Sequence, residues 1–196
     1  IMRTFLTILI LFFSFQTWAK ADDIRDFEIE GISIGDSLLD FYSETKITKQ
    51  LSRTTNKRKN TEFLRVYFDL TNPDIYSTIN IHFKNDKSYE ITSIGGIEYF
   101  NNDMNACYKK QNNIVKDLDE SFPNAKKNDF ETSKHTSDPS GKSSVRDIWF
   151  DLNNGQIYVS CTDWGDDMTT KYRWMDNLGV YLDSTKHIKW LISLDD

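Results

Sequence analysis

Two eleven-residue stretches of this chain repeat each other. Residues 66–76 read VYFDLTNPDIY and residues 148–158 read IWFDLNNGQIY, with six identities and no gap. Each reads as a strand, a four-residue turn and a second strand, the turns being Thr71-Asn72-Pro73-Asp74 and Asn153-Asn154-Gly155-Gln156. Proline fixes φ, glycine permits positive φ and asparagine bonds to its own backbone, so these are turn residues for physical reasons. Strict alternation flanks the turns: Leu64, Val66, Phe68 and Leu70 share one face, as do Ile148, Phe150 and Leu152. The other face carries Tyr67, Trp149 and Tyr158 by alternation, and the ungapped match adds Tyr76 to it. Matched turns and matched faces point to a duplicated unit.

A helix is expected before each hairpin. Ser37-Leu38-Leu39-Asp40 resembles a capping box, with Phe41 and Tyr42 following at helical spacing. From 105 to 122, Cys107, Ile114, Val115, Leu118 and Phe122 form an apolar stripe that Gln111 interrupts, and Pro123 ends it. Further strands are expected at 88–99, 172–175, 179–183 and 187–194. Residues 132–144, rich in Ser, Thr, Pro and Gly without periodicity, read as a mobile loop. The expected fold is α+β, a tandem repeat of helix followed by antiparallel strands with the helices packed on the sheet. Its units are 22–100 and 101–196, the second with an extra C-terminal strand.

Residues 1–21 read as a secretory signal. Arg3 precedes an apolar run from Phe5 to Phe15, and Ala19-Lys20-Ala21 offers small-x-small cleavage before Asp22. Met2 is taken as the natural start. The apolar run falls short of the ~20 residues of a spanning helix, so no membrane span is expected after cleavage. Losing Arg3 and Lys20 deepens the net charge of −6 by two, and an acidic domain repels phosphate backbones, which argues against a nucleic-acid partner. Export to periplasm or medium also suits the two cysteines, Cys107 and Cys161. One sits on the helical stripe, the other in register with Ile157 and Val159, so a structural disulfide should staple helix to sheet.

Little in the pattern carries chemistry. Gly35-Asp36-Ser37-Leu38 resembles the first block of the GDSL esterases, which implies Ser37 as nucleophile with Asp183 and His187 as late partners. The spacing Asp-x-x-x-His departs from that family's Asp-x-x-His, its Gly-x-Asn-Asp block is missing, and Ser37 reads better as a helix cap. His82, His135 and His187 are dispersed, so no metal site, cofactor or catalytic residue is assigned. Lys46, Lys49, Arg53, Lys57, Arg58 and Lys59 make a basic run without an acid, either a solvated loop or a contact for an anionic partner. The outward aromatics Tyr67, Tyr76, Trp149 and Tyr158 are the candidate binding face for a protein, peptide or glycan, unless another element covers them.

The segments FEIEGISIGDSLLDFYSE, CYKKQ and VSCTDW resemble a group of small exported proteins from marine bacteria. That resemblance implies export but no activity, substrate or catalytic residue. By element order alone the chain is also similar to tandem helix-plus-antiparallel-sheet modules such as the β-lactamase inhibitory proteins, an implication about fold only. The leading expectation is an exported non-enzymatic binding or interaction module. A serine esterase using Ser37 and an envelope-structural protein are the alternatives.

Overall fold

A computed structural model describes residues 23–52, 61–71, 74–100 and 103–194. The signal reading at 1–21 and the basic residues Arg53, Lys57, Arg58 and Lys59 lie outside the described residues. The described chain begins with a 3-10 turn at Ile24–Asp26 and a small hairpin of β1 (Glu28–Ile29) and β2 (Ile32–Ser33). A second 3-10 turn at Leu38–Asp40 and α1 (Glu44–Leu51) lead into β3 (Phe63–Asp69), β4 (Thr78–Lys84) and β5 (Ile91–Tyr99). Next come α2 (Met104–Ser121), β6 (Lys126–Lys127), β7 (Glu131–Lys134), β8 (Ser144–Leu152) and β9 (Gly155–Asp163). The chain then forms α3 (Asp166–Tyr172), β10 (Asn177–Ser184) and α4 (Thr185–Ile192).

The architecture is α+β, as expected. All strands from β3 onward join one antiparallel sheet in the order β3-β4-β5-β10-β9-β8-β6, with β7 also paired to β8. The two expected units therefore share a sheet. β5 pairs with β10 from Tyr99↔Asn177 to Ser93↔Asp183, so β3-β4-β5 and β8-β9-β10 lie on either side of that seam in mirrored order.

One face of the sheet carries the core. Val66, Phe68, Ile79, Ile81, Phe83 and Ile94 from one half meet Leu178, Leu182, Ile157, Val159, Ile148 and Phe150 from the other, all buried. α1 and α2 cover this face together with Ile24, Ile29, Ile32 and Leu38 of the N-terminal turns. The β1–β2 turn places Glu30 at φ +52° and Gly31 at φ +76°. That strained Glu30 has a compensating role: its carboxylate accepts the N–H groups of Asp74, Ile75 and Tyr76, at 2.8–3.1 Å, tying the hairpin to the loop before β4.

Cys107 and Cys161 are disulfide-bonded, both fully buried, with Cα atoms 6.1 Å apart. Gln111, which breaks the apolar stripe of α2, is fully buried and explains its own presence. Its Nε2 donates to the carbonyls of Arg146 (2.9 Å) and Val159 (3.1 Å), and its Oε1 accepts from Arg146 Nη1 at 2.7 Å. A buried amide with all these partners locks α2 to β8 and β9. Gln111→Leu keeps the volume but takes one acceptor from the Arg146 guanidinium and the amide donor from two carbonyls, so urea unfolding should show a loss of about 2–3 kcal/mol. A loss near zero would mean that water replaces the amide.

Several sequence expectations shift. The expected helix from Ser37 splits in two: Ser37 caps only the 3-10 turn, while Ser43 caps α1 by accepting from Lys46 N. Residues 187–194, read as a strand, are instead helix as far as Ile192 and then a turn. Ser184 accepts from His187 N as an N-cap, and His187 and Trp190, three residues apart, then share a packed stripe. Residues 172–175 hold no strand either, because α3 runs to Tyr172 and is capped by Arg173, which takes φ +59°. Within 132–144, read as a mobile loop, residues 132–134 pair with β8, and Asp138 organises the turn by accepting from Ser140 N, Ser143 N and Ser143 Oγ.

Candidate binding face

Side chains alternate across the sheet, so the face opposite α1 and α2 is fixed by strand register. Six residues, one per strand, form a single rank across it: Tyr67, Asn80, Gly95, Tyr181, Tyr158 and Trp149. Their neighbours along the strands make two polar ranks. One runs Arg65, His82, Ser93, Asp183, Gln156, Asp151, and the other Asp69, Thr78, Ile97, Gly179, Ser160, Asp147. Rings in the central rank touch: Trp149 stacks on Tyr158 at 5.4 Å between centroids, and Tyr158 lies 5.7 Å from Tyr181. Tyr181 lies flat because both flanking positions are glycine. A Cβ on Gly95 would come within 2.1 Å of its ring, and one on Gly179 within 2.4 Å.

Three of the four expected face aromatics, Tyr67, Trp149 and Tyr158, therefore stand in one line. Tyr76 does not join them; its ring lies across Gly96 on the helix-bearing face. The ungapped match fails at the turn. Asp151 pairs with Gln156 across a tight hairpin, whereas the equivalent Asp69 pairs with Thr78 across a longer loop. The position facing Tyr67, as Tyr158 faces Trp149, is consequently Asn80. Asn80 Oδ1 is buried without a hydrogen-bond partner.

The face is walled at both ends of the strands. At one end α4 lays His187 and Trp190 over Phe63 and His82, with His82 and His187 ring centroids 4.4 Å apart. At the other, Trp164 packs between His135 (4.2 Å) and Trp174 (4.4 Å), and Tyr172 stacks on Trp174. Between the walls lie two clefts. One, of about 350 Å³, is lined by Tyr67, Tyr99, Trp164, Trp174 and Tyr181, with Arg173 among its remaining residues. The other, of about 330 Å³, is lined by Asp147, Tyr158, Ser160 and Lys134. They share His135, Thr162 and Tyr181, so they form one trough.

Burial keeps Tyr158 and Tyr181 protonated. Burial, followed by the neighbouring Tyr67 and Asp183, pushes Tyr181 up to about 12, and burial also pushes Tyr158 up strongly. Burial raises Asp147 as well, although Tyr158 Oη donates to it at 3.3 Å. The trough thus offers tyrosine hydroxyls, aromatic faces and one buried carboxyl.

The esterase residues are engaged elsewhere. Ser37 Oγ donates to the Ser88 carbonyl at 2.9 Å and accepts from Leu39 N. Asp183 and His187 do come together, Oδ1 and Nε2 3.7 Å apart, yet among the described residues no hydrogen bond or ring contact joins Ser37 to either. No group of three metal-ligating residues occurs among the described residues, and no helix among them is long and apolar enough to cross a membrane. Of the basic run, Lys46 and Lys49 lie in α1, with Lys46 Nζ 4.4 Å over the Tyr42 ring, away from the trough.

Sequence pattern missed Tyr99, Trp164, Trp174, His135 and Tyr181 as trough residues. The outward position of Tyr181 was available from alternation in β10; the others converge from a strand end and loops, which no local period reveals. No family model, curated protein or solved structure matches this chain.

Proposed function

We propose that this protein is an exported, non-enzymatic binding module that engages its partner through the sheet face opposite α1 and α2. The observation that carries the reading is the aromatic rank in a walled trough. Tyr and Trp left half-buried on a sheet, beside clefts of ligand size, are the residues that dominate recognition surfaces. Export is supported by the signal-like start and by the disulfide, which persists in oxidising compartments. Duplication of one helix-plus-three-strand unit is supported by the matched β3 and β8 sequences and the mirrored strand order, and the likeness to small exported proteins of marine bacteria fits the same reading. The commitment of Ser37 Oγ to a cap and a carbonyl favours binding over ester hydrolysis.

The test is affinity capture from periplasmic extract and culture medium with the disulfide-bonded protein as bait. Tyr67→Ala and Trp149→Ala should each retain the circular-dichroism spectrum of the parent and lose the captured partner. Capture that survives both substitutions removes this face from the function.

A further inference from the structure

We propose that the trough binds a neutral oligosaccharide, its pyranose rings stacked on the aromatic floor and its hydroxyl groups held by the polar side chains along the trough. This rests on the reading of the face as a binding surface and names the ligand class that its chemistry recognises.

A pyranose has two kinds of surface. Its C–H faces are apolar and slightly electropositive, and they match the electron-rich faces of Tyr and Trp rings. Its rim of hydroxyls both donates and accepts, and it needs groups that do the same. The trough presents both in alternation. One cleft is walled by Tyr67, Tyr99, Tyr181, Trp164 and Trp174, and also contains Asn177 and Thr162. The adjoining cleft is the polar half, with the hydroxyls of Tyr158, Ser160 and Thr162 beside the Asp147 carboxyl. Because Thr162, Tyr181 and His135 belong to both, the stacking surface passes directly into the hydroxyl-binding surface.

Size, charge and topology narrow the class further. Two joined clefts of about 350 and 330 Å³ offer more room than one sugar ring fills, so the ligand is an oligomer. In the polar cleft the one cation, Lys134, offsets the one carboxyl, Asp147, so the hydroxyl-binding half has no excess charge for an ionic ligand to pair with. An extended peptide most readily docks by adding a strand to a free sheet edge. This trough crosses the middle of the sheet, where β5, β10 and β9 already bond to one another, so it recognises side-chain-facing surface instead.

The probes are cellotetraose, laminaritetraose and tetra-N-acetylchitotetraose, titrated into the folded disulfide-bonded protein. Tryptophan emission, reporting Trp164 and Trp174, and calorimetry give the affinities. At least one sugar should produce a saturable change at millimolar concentration or below. Tyr67→Ala and Trp174→Ala should each weaken that binding about tenfold, Tyr67→Phe should retain most of it, and Lys49→Ala, in α1 away from the trough, should leave it unchanged. Far-UV circular dichroism verifies that each variant is folded. Absence of a saturable change with all three sugars in the parent protein overturns the proposal, as does sugar binding that is insensitive to both alanine variants. Failure with sugars alongside partner capture that Tyr67→Ala abolishes refutes the saccharide and leaves the binding face standing; failure of both experiments removes both readings.

Discussion

Acidification from pH 7 to pH 4 destabilises the folded protein, and the double variant His82→Gln/His187→Gln loses most of that pH dependence. The two rings meet edge to face, each with a buried Nδ1 that has no hydrogen-bond partner. Burial pushes His187 down to about 4. Burial first, then the charges of His187 and Arg65, push His82 down to about 2. In the unfolded chain both titrate near 6.5. Between that value and the folded values the unfolded state binds more protons, so stability is complete above pH 6.5 and drains away as the pH falls. For His187 alone the loss at pH 4 is about 3 kcal/mol, and His82 adds to it.

The surrounding charges do not reverse this sign. Asp183 lies 3.7 Å from His187 Nε2, but burial raises its own pKa, so it gives up its negative charge as acidity rises. Arg65 adds positive charge near His82, and Lys186 beside the pair is bonded to Glu62. Asp138 is held well below the usual carboxylate range by Ser143 and Ser140, and so responds at lower pH. The fall in stability from 6.5 to 4 comes from the depressed histidines, and Asp147, Asp163 and Asp183, which burial raises, take up protons as the pH falls and partly offset it. Urea denaturation at a series of pH values measures it; a parent stability that is flat across this window refutes the account.

The double substitution Cys107→Ala/Cys161→Ala should cost about 4 kcal/mol. The bond closes a loop of 54 residues, and removing the cross-link returns that conformational freedom to the unfolded chain. Alanine is the right replacement because both sulfurs lie in apolar core, where serine would bury a hydroxyl. The same burial means that mild reductant should leave the native protein intact and act only once the chain opens. Calorimetry of the double variant, with the parent in and out of reductant, decides this. A midpoint within a few degrees of the parent would show that Gln111 and the apolar stripe of α2 hold the helix on the sheet without the cross-link.

Legibility in the sequence varied with the kind of signal. Period-2 runs in β3, β8 and β9 gave the strands and put Tyr67, Trp149 and Tyr158 on the side of the sheet away from α1 and α2, because the core-facing residues of each strand are buried. The stripe on α2 and the in-register Cys161 were enough to foresee the disulfide. The C-terminal segment went wrong because His187, Lys189 and Leu191 alternate plausibly with Ile188 and Trp190, and the Ser184 cap that decides for helix is a single residue. Tyr76 went wrong because sequence identity continued past a turn where the pairing register did not. The histidine pair was invisible: His82 is on β4 and His187 on α4, and only the placement of α4 over the end of the sheet brings them together.

The mirrored strand order also constrains how the chain is made. β5 is fully formed in sequence long before β10, its partner across the midline, is synthesised. Until then its consecutive buried residues from Ile91 to Gly96 border an unpaired edge, a template for wrong pairing with another copy. A nascent chain halted after the first half is thus expected to be a sticky intermediate, and a holding factor that masks β5 would matter more for yield than any change in the finished fold.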